Sequence, residues 1–213
     1  ISTLAKLHNA DYEAIGLGDF GKPGNYFSRQ ISRWTKQYQM SETQTIDTMN
    51  KLIDWLPGNI PDDDANSIVH GDYRLDNMVL HPEKPEVLAV LDWELSTLGH
   101  PLGDFTYHLM QWFMPSDGAS TQTLEGADFD GLNIPDAADY TRLYCEHTGR
   151  DSIENMDFYI AYNMFRLAGI LQGIVGRVRD GTASNEHAAL MEDRVKPLSG
   201  VGWYYAQKAG AVG

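Results

Sequence analysis

The chain has 213 residues, 42% hydrophobic and 22% charged, which is the composition of a globular protein with a core of its own. Its net charge of −14 excludes nucleic acid as a partner, because a polyanion is bound by clusters of Lys and Arg. No run of about 18 to 20 apolar residues is present, which excludes a membrane span. The single Cys145 excludes an intrachain disulfide and indicates a reducing, cytoplasmic environment.

The first part of the chain predicts helices. Ile1 opens without an initiator Met or a signal-peptide pattern into a helical stretch up to His8, and we interpret this start as a cut in a longer protein. A Gly-rich loop follows over residues 16–24. Two amphipathic helices come next, the second of them after a predicted capping box over residues 41–44. Their apolar stripes are Phe27, Ile31, Trp34 and Tyr38, then Ile46, Met49, Ile53 and Leu56.

A basic stripe lies on the first of these two helices. Arg29, Arg33 and Lys36 fall at helical spacing on one face of an otherwise acidic protein. The simpler interpretation is a solvated helix face. The alternative is an anion site for an acidic substrate such as a CoA phosphate.

The apolar runs in the middle of the chain predict β-structure. Residues 68–70 form a short strand-like run, and residues 71–77 form a polar loop. Two apolar runs, 78–81 and 88–91, are separated by a Pro-containing turn. The economical interpretation is a β-hairpin that directly follows the polar loop.

The rest of the chain predicts helices and one long loop. Gly169, Gly173 and Gly176 align along the longest helix, which indicates close approach of another helix, and the terminal helix is the expected partner. No linker divides the chain, so we expect a single domain over residues 1–213. The predicted segments are a helix over 102–114, a loop over 115–135, and helices over 139–149, 160–178 and 185–208.

The predicted hairpin would bring two polar residues, Asn77 and Asp92, together at its open end. If Met78 lies opposite Leu91, then Asn77 and Asp92 emerge side by side on strands about 4.8 Å apart. An amide oxygen and a carboxylate make an incomplete oxygen shell that suits Mg²⁺ when phosphates and water complete it. Asp72, on the same loop, could orient a hydroxyl group and accept its proton.

These residues also carry a family resemblance. His70-Gly71-Asp72 with Asn77, followed by Leu91-Asp92-Trp93, resembles the catalytic loop and metal-binding Asp of the aminoglycoside phosphotransferase and choline kinase group, relatives of the protein kinases. Residues 68–77 and 90–99 together are more similar still to the phosphotransferase domain associated with acyl-CoA dehydrogenases. The resemblance runs over essentially the whole chain. It implies an α+β, mainly α fold, namely the C-terminal lobe of the kinase-like fold with a small β-hairpin that carries the catalytic and metal loops.

The resemblance also implies roles for individual residues. Asp72 would be the catalytic base, Asn77 and Asp92 would hold Mg²⁺, His70 would brace the loop, and Asp104 would fasten it from a following helix. ATP would be the phosphate donor. The nucleotide-binding lobe of the family should lie before Ile1 and is absent, so the chain by itself should bind ATP poorly.

Some residues near this constellation keep two interpretations. His70 taken alone is more often a hydrogen-bonded structural histidine than a catalytic one. Arg74 and Glu94 could contact substrate, but surface pairing explains them equally well. Trp93 is most simply a core residue. Arg166 could point into a substrate cleft, although exposure at its rim is the simpler expectation.

Three functions compete on this basis. The leading prediction is ATP-dependent phosphorylation of a small hydroxylated metabolite, and the resemblance favours a hydroxyacyl or CoA-linked compound. The alternative is a non-catalytic, kinase-derived interaction domain, against which the intact set of Asp72, Asn77 and Asp92 argues. The third is a dinuclear phosphoesterase, suggested by Asp72 and Asp76, but the other metal-ligand elements of such enzymes are missing.

Overall fold

The computed structural model describes residues 1–116, 123–182 and 190–213. Within these ranges the chain forms eight α-helices and two small antiparallel sheets of two strands each. The predicted fold class, α+β and mainly α, is therefore confirmed. None of the helices in the described ranges is long and apolar enough to cross a membrane.

The residues divide into two compact units. The first unit comprises Ile1–Tyr26, Asp63–Leu109 and Gly126–Glu154. The second unit comprises Phe27–Asp62, Met110–Glu125 and Asn155–Gly213. The single domain expected over residues 1–213 stays a prediction.

The first unit holds both sheets. Its core is built where α1 packs against α6 and β1, and where α4 packs against β1. The rings of Phe105 and Tyr144 stack in this core with centroids 4.0 Å apart. The elements are α1 (Ser2–His8), β1 (Ser67–Val69), β2 (Met78–Leu80), β3 (Val87–Val90), β4 (Thr97–Gly99), α4 (Pro101–Leu109), α5 (Phe129–Leu132) and α6 (Ala137–Thr148).

One strand of this unit was not predicted. β4 pairs antiparallel with β1, and Ser67 lies opposite Gly99. Three residues with one Gly carry too little periodic signal to indicate a strand. The pairing matters because β1 leads into the polar loop, while β4 leads into α4.

The hairpin forms as predicted, but its register differs by one residue. Met78 lies opposite Val90 rather than Leu91, and Val79 lies opposite Ala89. A bulge between Val79 and Leu80 accommodates the turn. Turn geometry and bulges set the register of a hairpin, and neither can be read from the apolar pattern of its strands.

The second unit is helical within its described residues. Its helices are α2 (Tyr26–Ser41), α3 (Asp47–Trp55), α7 (Met156–Arg179) and α8 (Glu192–Lys208). Tyr26, the first residue of α2, belongs to the first unit. α8 packs against both α7 and α3. Phe27 packs against an aromatic cluster of α7, with centroids 5.0 Å from the ring of Tyr162 and 5.3 Å from that of Tyr159.

The capping box predicted over residues 41–44 is wrong. Ser41 is the last residue of α2, and its hydroxyl group donates a hydrogen bond of 2.7 Å to the carbonyl oxygen of Gln37. The hydroxyl is thus used within its own helix. α3 begins at Asp47 after Ile46, with no side-chain cap.

The glycines of α7 approach a different helix from the one expected. A Cβ atom on Gly173 would lie 2.8 Å from Gln37 Nε2, and one on Gly176 would lie 2.6 Å from Ser41 Cβ. Both contacts are with α2, so the glycines do not serve the contact with α8 as predicted, although α8 does pack against α7. Two hydrogen bonds secure the contact, from Gln37 Nε2 to the carbonyl oxygen of Gly169 at 3.4 Å and from Gln172 Nε2 to that of Ser41 at 2.8 Å.

The long loop predicted over residues 115–135 contains a short helix. α5 begins after Asp128, whose carboxylate accepts a hydrogen bond of 3.0 Å from the backbone N–H of Gly131. The predicted helix over 102–114 ends as α4 at Leu109 and continues as a 3₁₀ turn, Met110–Trp112. Residues 117–122 of the loop and 185–189 of the predicted terminal helix lie outside the described residues.

Candidate active site

The polar loop begins at two backbone amides held by one buried carboxylate. Asp104, on α4, accepts hydrogen bonds from the N–H of His70 at 2.7 Å and from that of Gly71 at 2.9 Å. Gly71 has φ +85°, and a Cβ atom there would lie 2.7 Å from the carbonyl oxygen of Leu95. Only glycine fits this turn. The geometry is that of the fastening role expected for Asp104, which stays a prediction.

Asp104 is stabilised as an anion by a residue that the sequence did not indicate. His8 Nε2 lies 3.3 Å from Asp104 Oδ2, and His8 Nδ1 lies 2.7 Å from the hydroxyl group of Tyr144. Burial alone would raise the pKa of Asp104, but the hydrogen bond and charge of His8, with the two backbone N–H groups, lower that pKa below its ordinary value. Asp104 therefore holds the loop as a carboxylate.

His70 connects the loop to the end of the hairpin. Its Nδ1 accepts a hydrogen bond of 3.2 Å from the N–H of Asp72, so the proton of the neutral ring resides on Nε2. Nε2 then donates to the carbonyl oxygen of Leu91 at 2.8 Å. Since Asp92 directly follows Leu91, His70 links the two segments that carry the predicted catalytic and metal-binding carboxylates. These contacts match a bracing role.

Asn77 is bound to Asp72 at two points. Its Nδ2 donates to the backbone carbonyl oxygen of Asp72 at 2.9 Å and to Asp72 Oδ2 at 3.0 Å. The bonds orient the Asp72 carboxylate and use the amide nitrogen of Asn77. They leave Asn77 Oδ1 as the atom of that side chain that can bind a cation.

The structure brings Asp92 to the same end of the hairpin. The N–H of Leu91 donates to the carbonyl oxygen of Asn77 at 2.8 Å, so the residue after Leu91 emerges beside Asn77. Asp92 is exposed and adopts φ 64° and ψ 58°, the left-handed region that costs most residues about 1 kcal/mol or more. This conformation turns the chain out of the strand at Asp92.

The donor set suits a hard cation with few protein ligands. An amide oxygen and a carboxylate, both free to bind, match the shell that Mg²⁺ accepts when phosphates and water complete it. Nowhere in the described part of the chain do three or more His, Cys, Asp or Glu side chains gather as a metal site.

The remaining predicted residues near the loop, Arg74, Trp93 and Glu94, are partly or fully exposed. Arg74 Nε donates to Asp76 Oδ2 at 2.8 Å, and a second, shorter contact joins Arg74 Nη2 to the same oxygen. Glu94 is exposed. Trp93 is 44% exposed and stands edge-on to His70 with ring centroids 4.8 Å apart, so its interpretation as a core residue is wrong.

The four predicted basic residues of the helices lie in the second unit. Arg29, Arg33 and Lys36 line a groove between α2 and α7. Arg166 is 4% exposed, and its guanidinium carbon lies 5.6 Å from the ring centroid of Trp34. The expectation of a rim position for Arg166 is therefore wrong.

A second buried histidine, His108 of α4, forms a hydrogen bond to the backbone of the loop. His108 Nδ1 donates to the carbonyl oxygen of Tyr73 at 3.2 Å, and the hydroxyl group of Tyr140 donates to His108 Nε2 at 2.8 Å. Burial lowers the pKa of His108 to about 4, so the ring is neutral. One general rule could have pointed to histidines such as His8 and His108. A buried carboxylate and buried backbone groups both require hydrogen-bond partners.

Comparison with known proteins identifies a family and long relatives of this chain. The model of the phosphotransferase enzyme family matches residues 1–144. Acyl-CoA dehydrogenase family member 10 of Mus musculus is 42% identical over 207 residues, which are 97% of this chain and 19% of that protein. Acyl-CoA dehydrogenase family member 11 of Homo sapiens is 39% identical over 204 residues, which are 95% of this chain and 26% of that protein.

Solved structures share the fold. A structure from Ralstonia eutropha assigned as an aminoglycoside phosphotransferase is 56% identical with a TM-score of 0.92, over 97% of this chain and 63% of that one. A macrolide 2'-phosphotransferase from Brachybacterium faecium, 18% identical with a TM-score of 0.53 over 92% of this chain and 57% of that one, has the same fold. The chain spans about a fifth of one curated relative, about a quarter of the other, and under two thirds of the first structure. By its sequence and by its kinase-like fold, this chain belongs to the phosphotransferase enzyme family.

Proposed function

We propose that this chain carries the catalytic loop of an enzyme that transfers the γ-phosphoryl group of ATP to a hydroxyl group of a small molecule. The observation that carries the proposal is the pair of hydrogen bonds from Asn77 Nδ2 to Asp72. They hold the Asp72 carboxylate beside the end of the hairpin where Asp92 emerges. Phosphoryl transfer depends on position and charge more than on covalent chemistry by the protein. Three oxygen-bearing side chains at one hairpin end meet that need.

Asp72 serves as the base in this proposal. Its Oδ2 accepts from Asn77, so Oδ1 can accept a hydrogen bond from the acceptor hydroxyl group. As the hydroxyl oxygen bonds to the γ-phosphorus, the hydroxyl proton passes to the Asp72 carboxylate. The bond from the γ-phosphorus to its bridging oxygen breaks, and the electron pair leaves with ADP.

Asn77 and Asp92 would hold Mg²⁺ through the amide oxygen and the carboxylate. The cation, when bound, would neutralise charge on the phosphate groups of ATP. His70 and Asp104 fix the positions of these ligands, because they tie the loop to Leu91 and to α4. His70 and Asp104 do not touch the substrate in this mechanism, so both are positioning residues.

The outer side of the hairpin supports a further partner within a longer protein. Leu80 and Leu88 on the hairpin strands and Leu91 directly after them are exposed, and exposed apolar patches mark contact surfaces. The curated relatives are several times longer than this chain. We propose that another lobe of such a protein covers the hairpin and ATP, and that residues 1–213 alone transfer phosphate poorly.

The acceptor is proposed to be a hydroxyacyl compound, free or linked to CoA, in the cytoplasm. Support comes from the relatives, which are named as acyl-CoA dehydrogenase family members. Arg74, on the loop, and Glu94, two residues after Asp92, are candidates for contact with this acceptor. A non-catalytic interaction domain is the alternative that the experiment below must separate.

The test is a phosphotransfer assay on a longer protein that contains this chain, with ATP, Mg²⁺ and a series of hydroxyacyl-CoA esters and free hydroxy acids. Asp72→Asn keeps the acceptor atom for Asn77 but removes the base, so transfer should fall at least about a hundredfold. Asp54→Asn, on the exposed face of α3, makes the same chemical change and should leave the rate unaltered. Full activity of Asp72→Asn would refute the role of Asp72, and no transfer by the unaltered protein would favour the interaction domain.

A further inference from the structure

A groove of about 800 Å³ runs between α2 and α7, entirely within the second unit. Its volume is that of a small-molecule site. Five cations line it: Arg29, Arg33 and Lys36 from α2, with Arg177 and Arg179 from α7. They are five of the 16 Lys and Arg residues of a chain whose net charge is −14.

Three of the five cations that line the groove make no ion pair with a carboxylate among the described residues. Asp180 is the carboxylate that lines it, and Arg179 already pairs with Asp180 at 2.8 Å. Among the described residues no carboxylate forms an ion pair with Arg33, Lys36 or Arg177. Like charges gathered on one face repel one another, so a ligand that neutralises them gains free energy.

The frame of the groove is rigid. Gly173 and Gly176 line it and allow α2 to approach so closely that a Cβ atom on either glycine would collide with α2. Gln172 and Gln37 lock the two helices by hydrogen bonds to the opposite backbone. The cations are therefore presented by fixed helices, and a fixed frame reduces the entropy lost on binding.

The spacing of the cations selects the kind of anion. Arg29, Arg33 and Lys36 are successive residues of one helix face, and the first and last are about 10 Å apart along the axis. This length exceeds one phosphate group and matches several in one molecule. A polynucleotide does not fit the rest of the molecule, because the acidic remainder of the chain would repel it.

We propose that the α2–α7 groove is a binding site for a small molecule that carries two or more phosphate groups. The inference stands without the proposed phosphotransfer, because the groove contains none of Asp72, Asn77 and Asp92. A free polyphosphate and the phosphorylated nucleotide portion of a coenzyme share the required chemistry.

Calorimetric titration of the chain without Mg²⁺ tests the proposal and separates the two sources. The probes are inorganic pyrophosphate, ADP, coenzyme A and dephospho-coenzyme A. Arg33→Gln and Arg177→Gln should each weaken the binding of the tightest probe roughly tenfold. Tighter binding of coenzyme A than of dephospho-coenzyme A would assign a third phosphate to the groove, and equal binding of pyrophosphate and the nucleotides would assign a free polyphosphate.

The matched control is Arg142→Gln. Arg142 is an exposed arginine of α6, outside the groove, so the same change in net charge should leave every affinity within about twofold. Arg33→Lys should recover most of the affinity lost in Arg33→Gln, which a merely misfolded variant would not explain. Absence of binding by all four probes, or equal weakening by Arg142→Gln, would overturn the proposal.

Discussion

The carboxylate of Asp104 determines the shape of the candidate catalytic loop more directly than any residue on the loop itself. It binds two successive backbone amides, at His70 and Gly71, and faces His8 from inside the core. An ionised group is tolerated there because every hydrogen bond it needs is made by the protein. The position of Asp72 therefore depends on contacts that Asp72 does not make.

Asp104→Asn should lower the free energy of unfolding by about 3 kcal/mol, because it leaves His8 or one loop amide without its partner in a buried site. Denaturant unfolding of the chain measures this change. Asp139→Asn, on the exposed face of α6, breaks an ion pair with Arg142 and should leave the unfolding midpoint nearly unaltered. Equal midpoints for the two variants would contradict the role given to Asp104.

Individual residues show what the sequence could and could not predict about the site. Spacing and resemblance together indicated Asp72, Asn77 and Asp92, and the resemblance alone indicated Asp104. His8 contacts Asp104 across 96 residues of sequence, and no local pattern encodes such a contact. Burial of Arg166 beside Trp34 was likewise invisible, because a helical stripe does not tell which polar residues its neighbours will cover.

The helices and the hairpin were predictable from periodicity, but their mutual fit was not. The register of the hairpin depends on a bulge, and the strand β4 exists only through its pairing with β1. The glycines of α7 indicated a close contact, while only the structure names α2 as the helix that makes it. Tertiary packing decided each of these features.

The two helical glycines Gly176 and Gly200 should respond in opposite ways to replacement by Ala. A Cβ atom on Gly176 would lie 2.6 Å from Ser41 Cβ and 3.1 Å from Ser41 Cα, so Gly176→Ala should destabilise the chain by about 1 to 3 kcal/mol. Gly200 of α8 has open space at that position, so Gly200→Ala should stabilise it by about 0.5 to 1 kcal/mol. Thermal unfolding of both variants measures the difference, and a stabilised Gly176→Ala would refute the tight α2–α7 contact.

The molecule as a whole should lose stability in acid before its carboxylates are protonated. His108 has its pKa lowered to about 4 by burial, against an ordinary value of 6.5. The unfolded chain therefore binds a proton at this residue between pH 6.5 and 4 that the folded chain excludes, and stability falls as the pH falls through that window. His100, whose pKa burial also lowers, adds to the same trend.

Between pH 6.5 and 4 the His108 contribution amounts to about 3 kcal/mol. His108→Gln should make the fall in unfolding free energy across that window shallower, whatever it does to stability at neutral pH. His147→Gln, an exposed histidine of α6, should leave the slope unchanged. Below pH 3.8 a further loss should follow, because the pKa of Asp104 is lowered in the folded chain: its contribution is fully present above the unfolded value and is lost as the pH falls from there towards the folded value. The same dependence of unfolding free energy on pH in the unaltered chain, His108→Gln and His147→Gln would contradict this prediction.

The assignment of a phosphotransfer site rests on one shared cation beside one unliganded carboxylate. A crystal structure of a longer protein that contains this chain, grown with Mn²⁺ in place of Mg²⁺ and a non-hydrolysable ATP analogue, locates the cation by its anomalous signal. We predict a peak bonded to Asn77 Oδ1 and the Asp92 carboxylate, with Asp72 open to the acceptor side. A cation bound without these two residues, or one that draws Asp72 into its coordination shell, would contradict it.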